Sequence, residues 1–154
     1  MCYLEDIAYM ATIIGAFVAT ATFIFTILTY KKASSIDNIV SQKKELFDAL
    51  ERLRDYVISL RRNSDDYVEI KAFERLLLQC QETQKILIEN KYSAGKSWEQ
   101  IQEIIRDIED VISKWEDSKE EEKDLNEVAT NLMNKYFSEA FKDTIKQIQD
   151  LLRW

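Results

Sequence analysis

From Ile7 to Thr29 the chain reads IAYMATIIGAFVATATFIFTILT, 23 residues without a charged side chain. A helix of that length is about 34 Å long at 1.5 Å per residue, enough for a bilayer hydrocarbon core of about 30 Å. Soluble helices bury one stripe and solvate the rest. A helix apolar on every face over this length therefore reads as membrane-spanning rather than as a core helix. A cleaved signal peptide fits poorly: Glu5 and Asp6 stand where a basic region belongs, and the apolar stretch exceeds the roughly 7–15 residues of a signal core.

The flanks set the expected orientation. Lys31, Lys32, Lys43 and Lys44 come after the segment, and no Lys or Arg precedes it. Positive-inside bias then places the C-terminal domain in the cytoplasm and the short N-terminus outside, in the inner (cytoplasmic) membrane of a cell. Lys31 and Lys32 fall where anionic lipid headgroups would be, as a lipid-facing basic pair. Tyr3, Tyr9 and Tyr30 lie near the two ends, where amphipathic rings favour the interfaces. The division expected is an anchor over 1–33 and a cytoplasmic helical domain over 34–154.

The segment is uneven around its axis. At 100° per residue, Ala8, Ala11, Thr12, Gly15, Ala19, Thr22, Thr26 and Thr29 share one stripe, with Ile13, Phe17, Ile24 and Leu28 opposite. The ladder Ala11-x-x-x-Gly15-x-x-x-Ala19 permits close approach of another helix, and Thr hydroxyls suit such contacts. This predicts a homo-oligomer packed through Ala8, Ala11, Thr12, Gly15, Ala19, Thr22 and Thr26. One version is a ring whose Thr-rich face lines a polar channel; a lone anchor is the alternative.

The remainder reads as all-α, a four-helix bundle behind the one transmembrane helix. With no Pro and only Gly15 and Gly95, little interrupts helices. The first seam is Ile36, Ile39, Lys43, Leu46, Leu50, Leu53, Val57 and Leu60. Either Ser34 or Ser35 caps its start, or the membrane helix runs straight through Tyr30-Lys31-Lys32. A second helix is predicted to open at Asn63-Ser64-Asp65-Asp66, with the seam Ile70, Phe73, Leu77, Cys80, Gln84, Leu87. After a turn at 92–96, Ser97 and Gln100 form a capping box for the third. Its seam is Trp98, Ile101, Ile105, Ile108, Ile112 and Trp115, widened by Ile104 and Val111. An acidic run, 116–124, leads to a single last helix burying Leu125, Val128, Leu132, Tyr136, Phe137, Phe141, Ile145, Ile148 and Leu152. Stripes this wide favour a closed bundle over intermolecular coiled coils.

Composition argues against catalysis. The chain has no histidine, the commonest general base and transition-metal ligand, so no Ser or Cys nucleophile has a His partner. Cys2 and Cys80 lie on opposite sides of the proposed bilayer and outside any Cys-x-x-Cys spacing; Cys80 reads as a core residue. Asn90-x-x-x-x-Gly95-Lys96-Ser97 lacks the first Gly and the preceding strand of a phosphate loop. The carboxylates Asp65-Asp66 and Glu120-Glu121-Glu122 lack a calcium-loop frame and read as solvated surface. No catalytic, metal or cofactor residue is assigned, and the chain is expected not to be an enzyme. Residues 31–62 hold eight basic and five acidic side chains; residues 63–154 hold 13 basic and 21 acidic, a net −8. Nucleic acid is thereby disfavoured as a ligand, whereas a basic cytosolic protein suits the distal half.

The short acidic N-terminus, single membrane helix, Tyr30-Lys31-Lys32 exit and helical domain resemble the layout of small bacterial membrane accessories of antiphage systems, including the pore-forming accessory of type VI-B CRISPR loci. The resemblance implies an oligomeric device acting on bilayer integrity. That accessory's ribonuclease-like signature, Arg then four residues then His, cannot occur in a chain without His, so ribonuclease activity is not carried over.

Overall fold

The computed structural model describes residues 2–63, 68–121 and 124–153, with side chains from Tyr9 onward except that of Asn63. The expectations placed on Ser64, Asp65 and Asp66, on Glu122, and on the side chains of Cys2, Tyr3 and Ala8 lie outside the described residues. All regular structure is helical: α1 (Cys2–Asn63), α2 (Ile70–Glu89), α3 (Trp98–Glu120), α4 (Leu125–Tyr136) and α5 (Glu139–Leu152), and no strand occurs among the described residues. The chain divides into two compact units between Val40 and Ser41.

The first unit is the N-terminal part of α1. Its helix has no Pro, and Gly15 alone lacks a side chain, so nothing stops its hydrogen-bond ladder. It runs without a break through Ser34 and Ser35, so neither caps a new helix.

The second unit is closed by its own core. From α1 come Leu46, Leu50, Leu53 and Val57, from α2 Phe73, Leu76, Cys80 and Leu87, and all are fully buried. The α3 helix packs against α2, α4 and α5 and supplies Ile101, Ile104, Ile108, Val111 and Trp115. Phe73 meets the Trp115 ring edge-on at a centroid distance of 5.0 Å. Arg54 Nη1 donates to Gln149 Oε1 at 3.1 Å, which ties α1 to α5. The first seam is shorter than its periodicity suggested: Leu46 is buried, but Ile36 is 51% and Ile39 44% exposed. Periodicity marks an apolar face without saying what covers it.

Besides α3 running on to Glu120, into the expected connector 116–124, three helix boundaries depart from expectation. Helix α2 starts at Ile70, with extended Glu69 as its N-cap, so Asn63 closes α1 instead of opening α2. The link to α4 is made at Val68, whose N–H donates to Thr130 Oγ1 at 3.2 Å. Ser97 and Gln100 form no capping box: Ser97 is itself helical, and its hydroxyl donates back to the Ala94 carbonyl at 2.6 Å. The α2–α3 connection is instead two short 3-10 turns, Lys91–Ser93 and Gly95–Ser97. They are joined at Gly95, whose φ of +55° suits a residue without Cβ.

The third departure changes the helix count. The last helix is two, broken at Phe137 and Ser138, so among the described residues the unit holds five α-helical segments, the end of α1 included, where four were expected. The cause lies in the spacing of the buried residues. Ala129, Met133, Phe137, Phe141 and Ile145 succeed one another in four-residue steps. Each such step advances about 40° beyond a full turn, about 160° across the run. A straight helix would carry Ile145 to the face opposite Ala129. The break resets the phase, seats Phe137 in the core and sets it edge-on to Phe141 at 5.2 Å.

Candidate functional site

The surface that sets this chain apart lies on α1. Every position from Tyr9 to Ser41 is exposed, and the exposed residues include large apolar side chains on all sides of the helix. Phe17, Phe25 and Tyr9 are each more than two-thirds exposed. The sequence-assigned stripe residues Ala11, Thr12, Gly15, Ala19, Thr22 and Thr26 lie along one side and are all exposed; the side chain of Ala8 is not among those described. A Cβ built on Gly15 meets nothing within 4 Å among the described residues. Lys31 and Lys32 are exposed just beyond the uncharged run.

The threonine hydroxyls turn inward. Thr22 donates to the Val18 carbonyl, Thr26 to Thr22 and Thr29 to Phe25, each at 2.8 Å; Thr20, off the stripe, does the same to Ala16. Bonding to the i−4 carbonyl satisfies the donor within the helix. It leaves each side chain with a methyl group and an oxygen acceptor, a combination tolerated next to lipid or next to a packed helix.

In the second unit the polar groups form local clusters. Lys114 Nζ donates to Asp110 Oδ2 at 2.6 Å and to the Tyr136 hydroxyl, and that hydroxyl donates to Asp110. These hydrogen bonds hold the Asp110 carboxyl below its ordinary range and push Lys114 upward. One turn earlier, Asp107 is raised, first by burial and then by the neighbouring Glu103 and Asp110 charges. The adjoining cleft, lined by Glu103, Asp107, Tyr136 and Thr144 among others, holds about 170 Å³; small-molecule sites run to roughly 300–1,000 Å³. A wider groove of about 540 Å³ lies over Ile88, Trp98 and Ile105, beside Lys91 and Arg106.

The phosphate-loop look-alike is built differently from a nucleotide site. Asn90 Nδ2 donates to Glu45 Oε2 at 3.3 Å and to the Ile86 carbonyl at 3.0 Å, Ser93 Oγ donates to Gln42, and the Ser97 hydroxyl is spent on Ala94. Among the described residues, no three His, Cys, Asp or Glu are placed to share a metal ion. Cys80 is fully buried, and burial pushes its thiol up to about 12.

Two features escaped the sequence reading. The Asp110–Lys114 pair has the acid-before-base spacing of four that helices favour, but Tyr136, contributed by another helix, carried no local signal. The exposure of Ile36 and Ile39 was hidden by their regular spacing.

Compared with known protein families, with curated proteins and with solved structures, the chain matches none. Nothing in those comparisons joins it to the antiphage accessories that its layout resembles.

Proposed function

We propose that this chain is a single-pass protein of the cytoplasmic membrane that associates with copies of itself and acts without catalysis. The observation that carries this reading is the bare apolar surface of α1. Twelve large apolar side chains between Tyr9 and Tyr30 are exposed. They are 40–75% exposed, so at about 1.5–3 kcal/mol for each full burial, leaving them in water forfeits on the order of 10–20 kcal/mol. That is comparable to the roughly 5–15 kcal/mol by which a whole domain is stable. Lipid is the medium that removes the penalty, and Lys31, Lys32, Lys43 and Lys44 favour the cytoplasm for the C-terminal unit.

Self-association rests on the open small-residue stripe, where a neighbouring backbone meets no bulky side chain. A membrane-perturbing or pore-forming assembly is its sharper form, supported by threonine oxygens aligned along one side. Particle mass in mild detergent tests association: an oligomer is expected at micromolar protein, and a strict monomer overturns it. Release of a trapped dye from vesicles holding the protein is expected for the pore form, and tight vesicles contradict it.

One observation favours a second reading, a membrane-tethered adaptor for a cytosolic partner. The second unit completes its own hydrophobic core and presents an acidic surface suited to a basic protein. Placing residues 34–154 behind an unrelated membrane helix separates the two. Retained cellular function supports the adaptor, and lost function supports the self-associating helix.

A further inference from the structure

Beyond the uncharged segment, α1 carries exposed apolar side chains that the bundle does not use. Ile36, Ile39 and Val40 are 51%, 44% and 42% exposed, and burial within the chain resumes only around Leu46. Ile36 and Val40 continue the stripe in register. Ala8, Thr12, Gly15, Ala19, Thr22, Thr26, Thr29, Ala33, Ile36 and Val40 succeed one another in strictly alternating steps of four and three. This is the seven-residue repeat of a left-handed coiled coil. The competing four-residue ladder through Ala11, Gly15 and Ala19 reaches bulky Phe23 at its next step. The heptad seam runs for about 48 Å, longer than a hydrocarbon core of about 30 Å.

The charges beside the seam suit one occupant. Lys32 flanks it on one side and Asp37 on the other. Five residues apart on one helix, the two stand about 140° from each other and cannot pair. In a parallel, in-register coiled coil, a residue on the first flank meets the residue five positions further along the neighbouring helix. Lys32 of each copy then faces Asp37 of the other. Among the described residues, neither takes part in an ion pair within its own chain.

We infer that a second copy of this chain, parallel and in register, covers the face formed by Ala33, Ile36 and Val40, with reciprocal Lys32–Asp37 pairs at its edges. The inference rests on α1 spanning the membrane and self-associating, since a shared orientation in the bilayer makes the pair parallel. The contact would extend the assembly out of the lipid to the first residues of the bundle.

Cysteine cross-linking of the full chain in native membranes tests it. Cys2→Ser removes the N-terminal thiol, and Cys80 is buried. Single Ile36→Cys and Val40→Cys variants are expected to form covalent dimers on mild oxidation. Asn38→Cys, equally exposed but on the outer side of the repeat, is expected not to. Absent cross-links at 36 and 40, or equal yields at 38, overturn the inference; another occupant, such as a lipid surface or a foreign protein, gives the first of these results. Thr22→Cys locates a failure. Cross-linking there alone preserves the membrane contact and removes the extension, whereas a monomeric particle with no cross-link at any position removes the underlying reading. Charge reversal supplies an independent readout: Lys32→Asp or Asp37→Lys alone should lower the Ile36→Cys yield roughly threefold, and the double reversal should restore it. Failure of the double variant to recover contradicts the pairing.

Discussion

The helix α1 holds two apolar surfaces of similar composition and opposite fate. Toward its C-terminal end, Leu46, Leu50, Leu53 and Val57 are sealed inside a core, because four other helices bring matching stripes. Toward its N-terminus, Phe17, Phe23, Phe25 and Leu28 are more than half exposed. The lesson is that a helix's own sequence fixes which residues avoid water, while the medium or partner that shelters them is decided elsewhere. For the bundle the shelter is intramolecular; for the N-terminal stretch the proposed shelter is lipid and other copies of the chain.

Breaking one surface should leave the other intact, and the largest separation comes from charge. Ala16→Arg combined with Phe17→Arg places two cations near the middle of the apolar run, at a cost of about 5–7 kcal/mol of insertion free energy. The variant should leave the membrane pellet, while the thermal melting of the bundle, followed by circular dichroism, stays as it was. Trp115→Ala reverses the pattern. Trp115 is fully buried against Phe73, and emptying such a site costs about 3–5 kcal/mol. Urea unfolding should report that loss with no change in membrane partition.

Smaller changes sharpen the contrast. Gly15→Leu adds a branched side chain where the described residues offer no obstacle, and it blocks close approach of another helix. Association in detergent should weaken on the order of tenfold, with bundle stability unaltered. Thr83→Val acts inside the core alone. The Thr83 hydroxyl is fully buried with no hydrogen-bond partner among the described residues, so replacing it with a methyl group should stabilise the bundle by about 1 kcal/mol. A loss of stability there would show that the hydroxyl has a partner after all.

Much of the architecture was legible from residue spacing. The three- and four-residue steps of Phe73, Leu77 and Cys80, and of Ile101, Ile105 and Ile108, correspond to buried faces, while Gln84, the seam's next step toward buried Leu87, is only half-buried. Runs like these have one geometric solution. The break after Tyr136 was also encoded, in the drift of Ala129, Met133, Phe137, Phe141 and Ile145, but it emerges only when the phase of the stripe is tracked along the helix instead of residue by residue. Ile36 and Ile39 were assigned to the bundle because their spacing joins smoothly to Leu46; periodicity carries no record of which surface lies opposite. The Lys114–Asp110–Tyr136 cluster joins α3 to α4, and a contact between helices leaves no trace in local sequence. The stripe on α1 was readable as a pattern, while the inward donation by its threonines depended on seeing the helix built.

The most direct test of the account is whether the unaltered chain is embedded in lipid. Membranes from lysed cells that express it are extracted with alkaline carbonate and floated through a density gradient. Embedding predicts that the protein rises with the lipid and resists extraction. Recovery of the full-length chain in the soluble fraction would contradict the account at its root.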